Sequence, residues 1–235
     1  MTSTELVPHS EGDDSFDTYV AKPEGGGDRP AVLICHAWAG RSEHEEERAR
    51  RLAGLGYVGA AIDLYGVGKR GHDKASNAAL MNGLVTNPAL LRRRLAAAYQ
   101  SVRTLDGVDP DRMGIIGFCF GGMCAILAAR MGLALRGVVS FHGALKIGEP
   151  LEARVKARIL VLHGQDDPLV PVADIGTFAA EMQRIHADWQ LHAYPGVVHS
   201  FTNPQANDPD FGTVYDAEAD RRSWREMSDF FQEVL

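Results

Sequence analysis

Fully apolar runs alternate along this chain with stretches in which apolar positions recur every three or four residues. A short apolar run bounded by turn residues suits a strand buried on both faces, and the longer recurrence suits a helix with one buried side. "AVLICH" (31–36) therefore predicts a core strand, followed by a charged helix from Glu43 to Leu55. "YVGAAIDLY" (57–65) predicts the next strand, and residues 66–87 a polar connection with some helical content. Leu91, Leu95, Ala98, Val102 and Leu105 line one helix face. "RMGIIGF" (112–118) returns to strand and "GGMCAILAARM" (121–131) to a buried helix. "LRGVVSFHG" (135–143), "ARILVLHG" (157–164) and "WQLHAY" (189–194) predict further strands. Ile175, Phe178, Met182 and Ile185 mark one more helix, and Trp224, Met227, Phe231 and Val234 the last. Such alternation predicts an α/β fold with a mostly parallel central sheet flanked by helices on both faces. "KPEGGGDRP" (22–30) reads as a turn between two early strands, so residues 1–235 are expected to form a single domain.

Composition narrows the function classes. With 45% hydrophobic and 23% charged residues the chain can build a sizeable core. A net charge of −7 argues against nucleic acid as a partner, since phosphates call for a basic patch. The basic run Arg92-Arg93-Arg94 and the acidic run Glu45-Glu46-Glu47 are both expected to be solvated helix faces, the latter near a helix start. No apolar stretch is long enough to span a membrane, and "MTSTELVPHS" lacks the pattern of a signal peptide. Three cysteines are too few for a disulfide framework, so a reducing cytoplasm is the expected compartment.

One cysteine stands apart. In "GFCFGG" (117–122), Cys119 falls between Gly117 and Gly121, after a strand and before a helix. G-x-C-x-G in that context has the form of a nucleophile elbow with Cys in place of Ser. The turn holds the nucleophile at positive φ, clear of the sheet, and tolerates only small neighbours. Gly122 lets the helix approach the sheet. The helix N-terminus beneath the sulfur favours a thiolate and then an oxyanion, with the Phe120 N–H as the first donor. Cys35 and Cys124 lie in apolar runs and read as packing residues.

Two later segments complete a nucleophile–acid–His order. "HGQDDPLVP" (163–171) presents Asp166 and Asp167 where a strand ends, and "YPGVVHSF" (194–201) presents His199 in another such loop. A His can take the thiol proton while a carboxylate on its other nitrogen fixes the tautomer. In open parallel sheets that strand edge is where ligands bind.

"GFCFGG", "HGQDDPLVP" and "YPGVVHSFTNP" resemble the three signature segments of the dienelactone hydrolase family of α/β-hydrolases, and "GYVGAAIDLYG" resembles a fourth segment of that family. The resemblance runs from about residue 17 to the C-terminus. It implies an α/β-hydrolase fold and a carboxymethylenebutenolidase-type ester or lactone hydrolase. Cys119 would be the nucleophile, His199 the base and Asp167 the orienting acid, chosen over Asp166 by its spacing from Gly164 and Pro171. The second oxyanion donor would be the Trp38 N–H, with Ala37 the neighbouring candidate. Two positions depart from the family pattern. Ala37 stands where archetypal members carry Glu, leaving the thiol to His199 alone or to a carboxylate from Glu43 or Glu45. Asn203 stands near where members acting on the anionic lactone carry Arg.

His36, Ala37, Phe118 and Asn203 are the candidate substrate-binding residues. His36, His142 and His163 near strand ends could also be core histidines bonded to backbone. Lys69, Arg70 and Arg103 are expected at the surface. No metal-ligand spacing occurs, so neither metal nor cofactor is expected. The expected partner is a small ester or lactone bound by a monomer or homodimer. Thioester hydrolysis is the alternative activity, and a thiol sensor or small-molecule binding protein the non-catalytic one.

Overall fold

The apolar run after residue 30 and its successor at 58 form the buried centre of a parallel pair. In the computed structural model, which describes residues 2–148 and 155–235, β3 (Arg29–Cys35) is inaccessible from Ala31 onward and β4 (Val58–Ile62) along its whole length. They pair in parallel from Ala31 opposite Val58 to Cys35 opposite Ile62. Each large aliphatic side chain buried there contributes about 1.5–3 kcal/mol. Helix α1 (Glu43–Gly54) lies directly on this pair. A Cβ on Gly59 of β4 would come within 2.3 Å of the Ala49 carbonyl oxygen, so only glycine permits the approach.

The described residues divide into two compact units, Met1–Ile115 and Ile116–Leu235. The first opens with a hairpin of β1 (Ser3–Glu11) and β2 (Asp14–Lys22), turning through Gly12 at φ +59°. β2 runs antiparallel to β4. Helices α2 (Lys74–Val85) and α3 (Pro88–Arg103) follow, and β5 (Val108–Phe118) crosses the boundary. The second unit continues with α4 (Phe120–Arg130), β6 (Gly137–Phe141), β7 (Arg158–Gly164), α5 (Val172–Arg184) and β8 (Trp189–Tyr194). A two-stranded ribbon, β9 (Asn207–Asp208) and β10 (Thr213–Val214), precedes α6 (Ala217–Val234). The strand order is β1-β2-β4-β3-β5 and then β6-β7-β8, an eight-stranded and mostly parallel sheet. Among the described residues no helix is long and apolar enough to cross a membrane.

Two expectations about charge runs are corrected. Arg92 and Arg93 are exposed, but Arg94 is buried. Its guanidinium lies over the Phe16 ring at 5.0 Å, donates to the Leu64 carbonyl at 2.8 Å and pairs with Asp14 at 2.6 Å. A long stem can follow apolar surface while its head finds partners, which a charge count cannot register. Glu45 is likewise buried, because it closes a capping box with Ser42 at the start of α1.

Candidate active site

Strand β5 ends at Phe118 and α4 begins at Phe120, leaving Cys119 alone on the turn at φ 55°, ψ −116°. This conformation costs a non-glycine residue on the order of 1–3 kcal/mol and has to be held by its surroundings. A Cβ on Gly117 would sit 1.9 Å from the Gly121 carbonyl oxygen. One on Gly122 would sit 2.7 Å from Ser140 Oγ and 2.8 Å from Gly143 Cα. The Cys119 N–H is held twice, donating to the Phe141 carbonyl at 3.0 Å and to His142 Nδ1 at 3.1 Å. Backbone strain gathers here. Of the four non-glycine residues at positive φ among those described, Cys119, His142 and Ser200 belong to the elbow or to the loops beside it.

The acid loop follows β7. Asp167 is buried, and its Oδ1 accepts from the N–H groups of Leu169 (2.8 Å) and Val170 (3.2 Å). That turn leaves Oδ2 to accept from His199 Nδ1 at 2.7 Å. Asp166 is exposed, and its N–H instead donates to the Val197 carbonyl at 3.0 Å, joining the acid loop to the His loop. A Cβ on Gly164 would come within 2.7 Å of the Val197 and Val198 oxygens, so these two loops meet through bare backbone.

His199 is fixed by the small ribbon, which the apolar pattern did not predict. Its N–H donates to the Gly212 carbonyl at 3.0 Å and its carbonyl accepts from Val214 at 3.1 Å. Gly212 at φ +76° lies against Pro168, where a Cβ would be 2.1 Å from the ring. The ribbon thus rests on the acid loop while it carries the His. Two-residue strands leave no periodicity to read, although the glycine in "DFGTV" marks the turn.

Burial opposes charge on both reacting groups, and their mutual attraction overcomes it. Burial alone would raise the Cys119 thiol; the His199 charge, contact with His199 and the Phe120 N–H together bring it below the ordinary thiol value. Burial would lower His199; the Cys119 thiolate and the Asp167 hydrogen bond carry it up to about 10. Nδ1 is committed to Asp167, which leaves Nε2 for the thiol; it is buried and has no hydrogen-bond partner among the described residues.

The remaining candidates fall elsewhere. His36 is inaccessible; its Nδ1–H donates to the Ala37 carbonyl at 2.7 Å and its Nε2 accepts from the Leu64 N–H at 3.2 Å. With both nitrogens taken by backbone, it fits the core-histidine alternative rather than a substrate contact. Phe118 is buried and stacked on Phe141 with ring centroids 4.8 Å apart. The Ala37 N–H donates to Glu45 Oε1 at 3.3 Å, which engages it away from an oxyanion. Glu45 Oε2 accepts from the Ser42 N–H at 2.9 Å and hydroxyl at 2.7 Å, so this carboxylate secures its own loop rather than a thiol. Glu43 is exposed and pairs with Arg50. Trp38 lies in the same loop of the first unit, half-buried, its carbonyl accepting from the Tyr65 hydroxyl at 2.9 Å. Asn203 is half-buried, with Oδ1 accepting from the Gln205 N–H at 3.0 Å. The S-x-x-E of Ser42–Glu45 was a legible capping signal that the charge-run reading passed over.

Comparison with known proteins places this geometry in context. The model of the dienelactone hydrolase family matches residues 16–235. A Yersinia pestis protein named "Putative carboxymethylenebutenolidase" is 30% identical, over 94% of this chain and 85% of that one. A dienelactone hydrolase-like promiscuous phosphotriesterase from metagenomic libraries is 35% identical in its crystal structure. It covers 99% of this chain and 98% of its own, with a TM-score of 0.93. The dienelactone hydrolase of Anabaena variabilis, 19% identical with a TM-score of 0.68 over 100% of this chain and 99% of its own, shares the fold.

Proposed function

The chain belongs to the dienelactone hydrolase family and is a hydrolase of that type, and on this premise we propose that it cleaves uncharged esters or lactones through a Cys119 acyl-enzyme. The observation that carries this reading is the alignment of Asp167 on His199 at 2.7 Å, with the other face of the imidazole paired to a depressed thiol on a strained elbow. The thiolate attacks the carbonyl carbon. The Phe120 N–H at the start of α4 receives the developing oxyanion. Imidazolium Nε2–H then protonates the departing alkoxide.

The acyl-enzyme is a neutral thioester, which removes the charge that holds His199 protonated. With Asp167 still fixing the tautomer, the imidazole becomes a base for the incoming water. The same residue is thus acid in one half-reaction and base in the other. Asn203 and Ala37 in place of the charged residues of archetypal members support an uncharged substrate over the anionic dienelactone.

A second substrate class, aryl phosphotriesters, is favoured by the 35% identity over nearly the whole chain to a protein described as a promiscuous phosphotriesterase. Hydrolysis of aryl esters, lactones, acyl thioesters and aryl phosphotriesters by the wild type and Cys119→Ala tests both. Turnover of at least one uncharged carboxylic ester or lactone, reduced about 10³-fold or more in the variant, is expected. Activity in none of the four classes, or an unchanged rate in Cys119→Ala, contradicts the reading.

A further inference from the structure

We propose that His142 is a positioning residue, tying the backbone of the nucleophile to the loop that carries the base. The inference rests on Cys119 being the nucleophile. His142 follows β6, is buried, and adopts φ +41° although it is not glycine. Its N–H donates to the Leu162 carbonyl at 2.8 Å, which anchors it to β7. Nδ1 accepts the Cys119 N–H at 3.1 Å, while Nε2 meets Thr202 Oγ1 at 2.9 Å. One imidazole therefore spans from the elbow to a buried residue three places after His199.

Hydrogen-bond chemistry fixes its state. A backbone N–H can only donate, so Nδ1 carries no proton, and the single ring proton lies on Nε2 and is donated to Thr202. The His142 ring packs edge-on against His199 with centroids 4.9 Å apart, and against Phe201 at 5.1 Å. A neutral ring there leaves His199 as the one cation of the pair. A doubly protonated His142 would set an N–H against the Cys119 N–H and a second positive charge beside the first. The strain at φ +41° is what aims the ring between the two loops. Both ends of the Cys119–His199 pair are thereby referred to one rigid side chain, and displacements of about 1 Å in such geometry can cost roughly 100-fold in rate.

The test uses His142→Leu, His142→Asn and Thr202→Val in the full chain, reading kcat, KM and the rate of Cys119 alkylation by iodoacetamide at pH 7. His142→Leu is expected to lower kcat about 100-fold with KM changed less than about threefold, and to slow alkylation about tenfold. Asn places an acceptor near the position of Nδ1 and tolerates positive φ, so His142→Asn should recover kcat and alkylation to within about fivefold of wild type. A folded His142→Leu with wild-type kcat and alkylation, or a His142→Asn as damaged as the leucine variant, overturns the proposal. Should His142→Leu fail to fold, Thr202→Val decides. A kcat reduced about tenfold with slowed alkylation supports the link, and wild-type values overturn it. Loss of hydrolysis in Cys119→Ala alongside these results shows that the nucleophile reading itself stands; unchanged hydrolysis there removes that reading instead.

Discussion

At Cys119, burial and pairing pull the thiol in opposite directions, and pairing wins because His199, through its charge and its contact with the sulfur, and the Phe120 amide both favour the anion. The same pairing lifts His199 to about 10. The pH dependence follows in sign. Alkylation of Cys119 should rise with pH through a midpoint below that of an ordinary thiol, because only the thiolate reacts. Acylation should then decline above about pH 10, where the imidazolium loses the proton that the leaving group needs. Asp167→Asn removes the charge and the acceptor from Nδ1. It should lower kcat by about 10² or more and bring the upper limb of the pH–rate profile below 10. A profile and rate identical to wild type would show that Asp167 does not serve His199. The choice of Asp167 over Asp166 rests on the spacing that the family resemblance implies. The physical cause, two backbone N–H groups turning Oδ1 inward and leaving Oδ2 for His199, is a matter of turn geometry that residue type alone does not disclose.

The elements that carry the site are held by close backbone approaches rather than by large side chains. Gly117 under α4, Gly164 beneath the His loop and Gly59 under α1 each occupy positions where a Cβ would strike backbone at under 3 Å. Gly59→Ala is expected to destabilise the fold by about 1–3 kcal/mol, since the strand and helix cannot both keep their places. Gly83→Ala, in an open position of α2, should instead stabilise by about 0.5–1 kcal/mol. Urea unfolding of the two variants checks the contrast, and equal effects would refute it. Strands β3 to β8 and helices α1 and α3 to α6 were legible because core burial imposes period and length on them. β1 and the β9–β10 ribbon were not, although the turn at 22–30 marked an early strand before it. β1 is largely exposed and carries little apolar signal, and the ribbon is too short for any period. Yet the ribbon is what pins His199, so the least legible element is one of those that matter most to the site.

Across the whole molecule, the order Cys119, Asp167 and His199 could be read from the sequence because each lies in the turn or loop that follows a strand. What escaped it lies where charged side chains are buried: Arg94 under the hairpin and Glu45 inside its capping box. Charge patterns assign such residues to solvent, whereas hydrogen-bond satisfaction draws them inside. The central claim is covalent, so the most direct measurement is mass spectrometry of acid-quenched protein during turnover of a p-nitrophenyl acetate-type aryl ester. The account predicts an added acyl mass on the peptide containing Cys119, absent from Cys119→Ala and lost again as substrate is exhausted. Steady turnover with no adduct on Cys119, together with undiminished hydrolysis by Cys119→Ala, would contradict it.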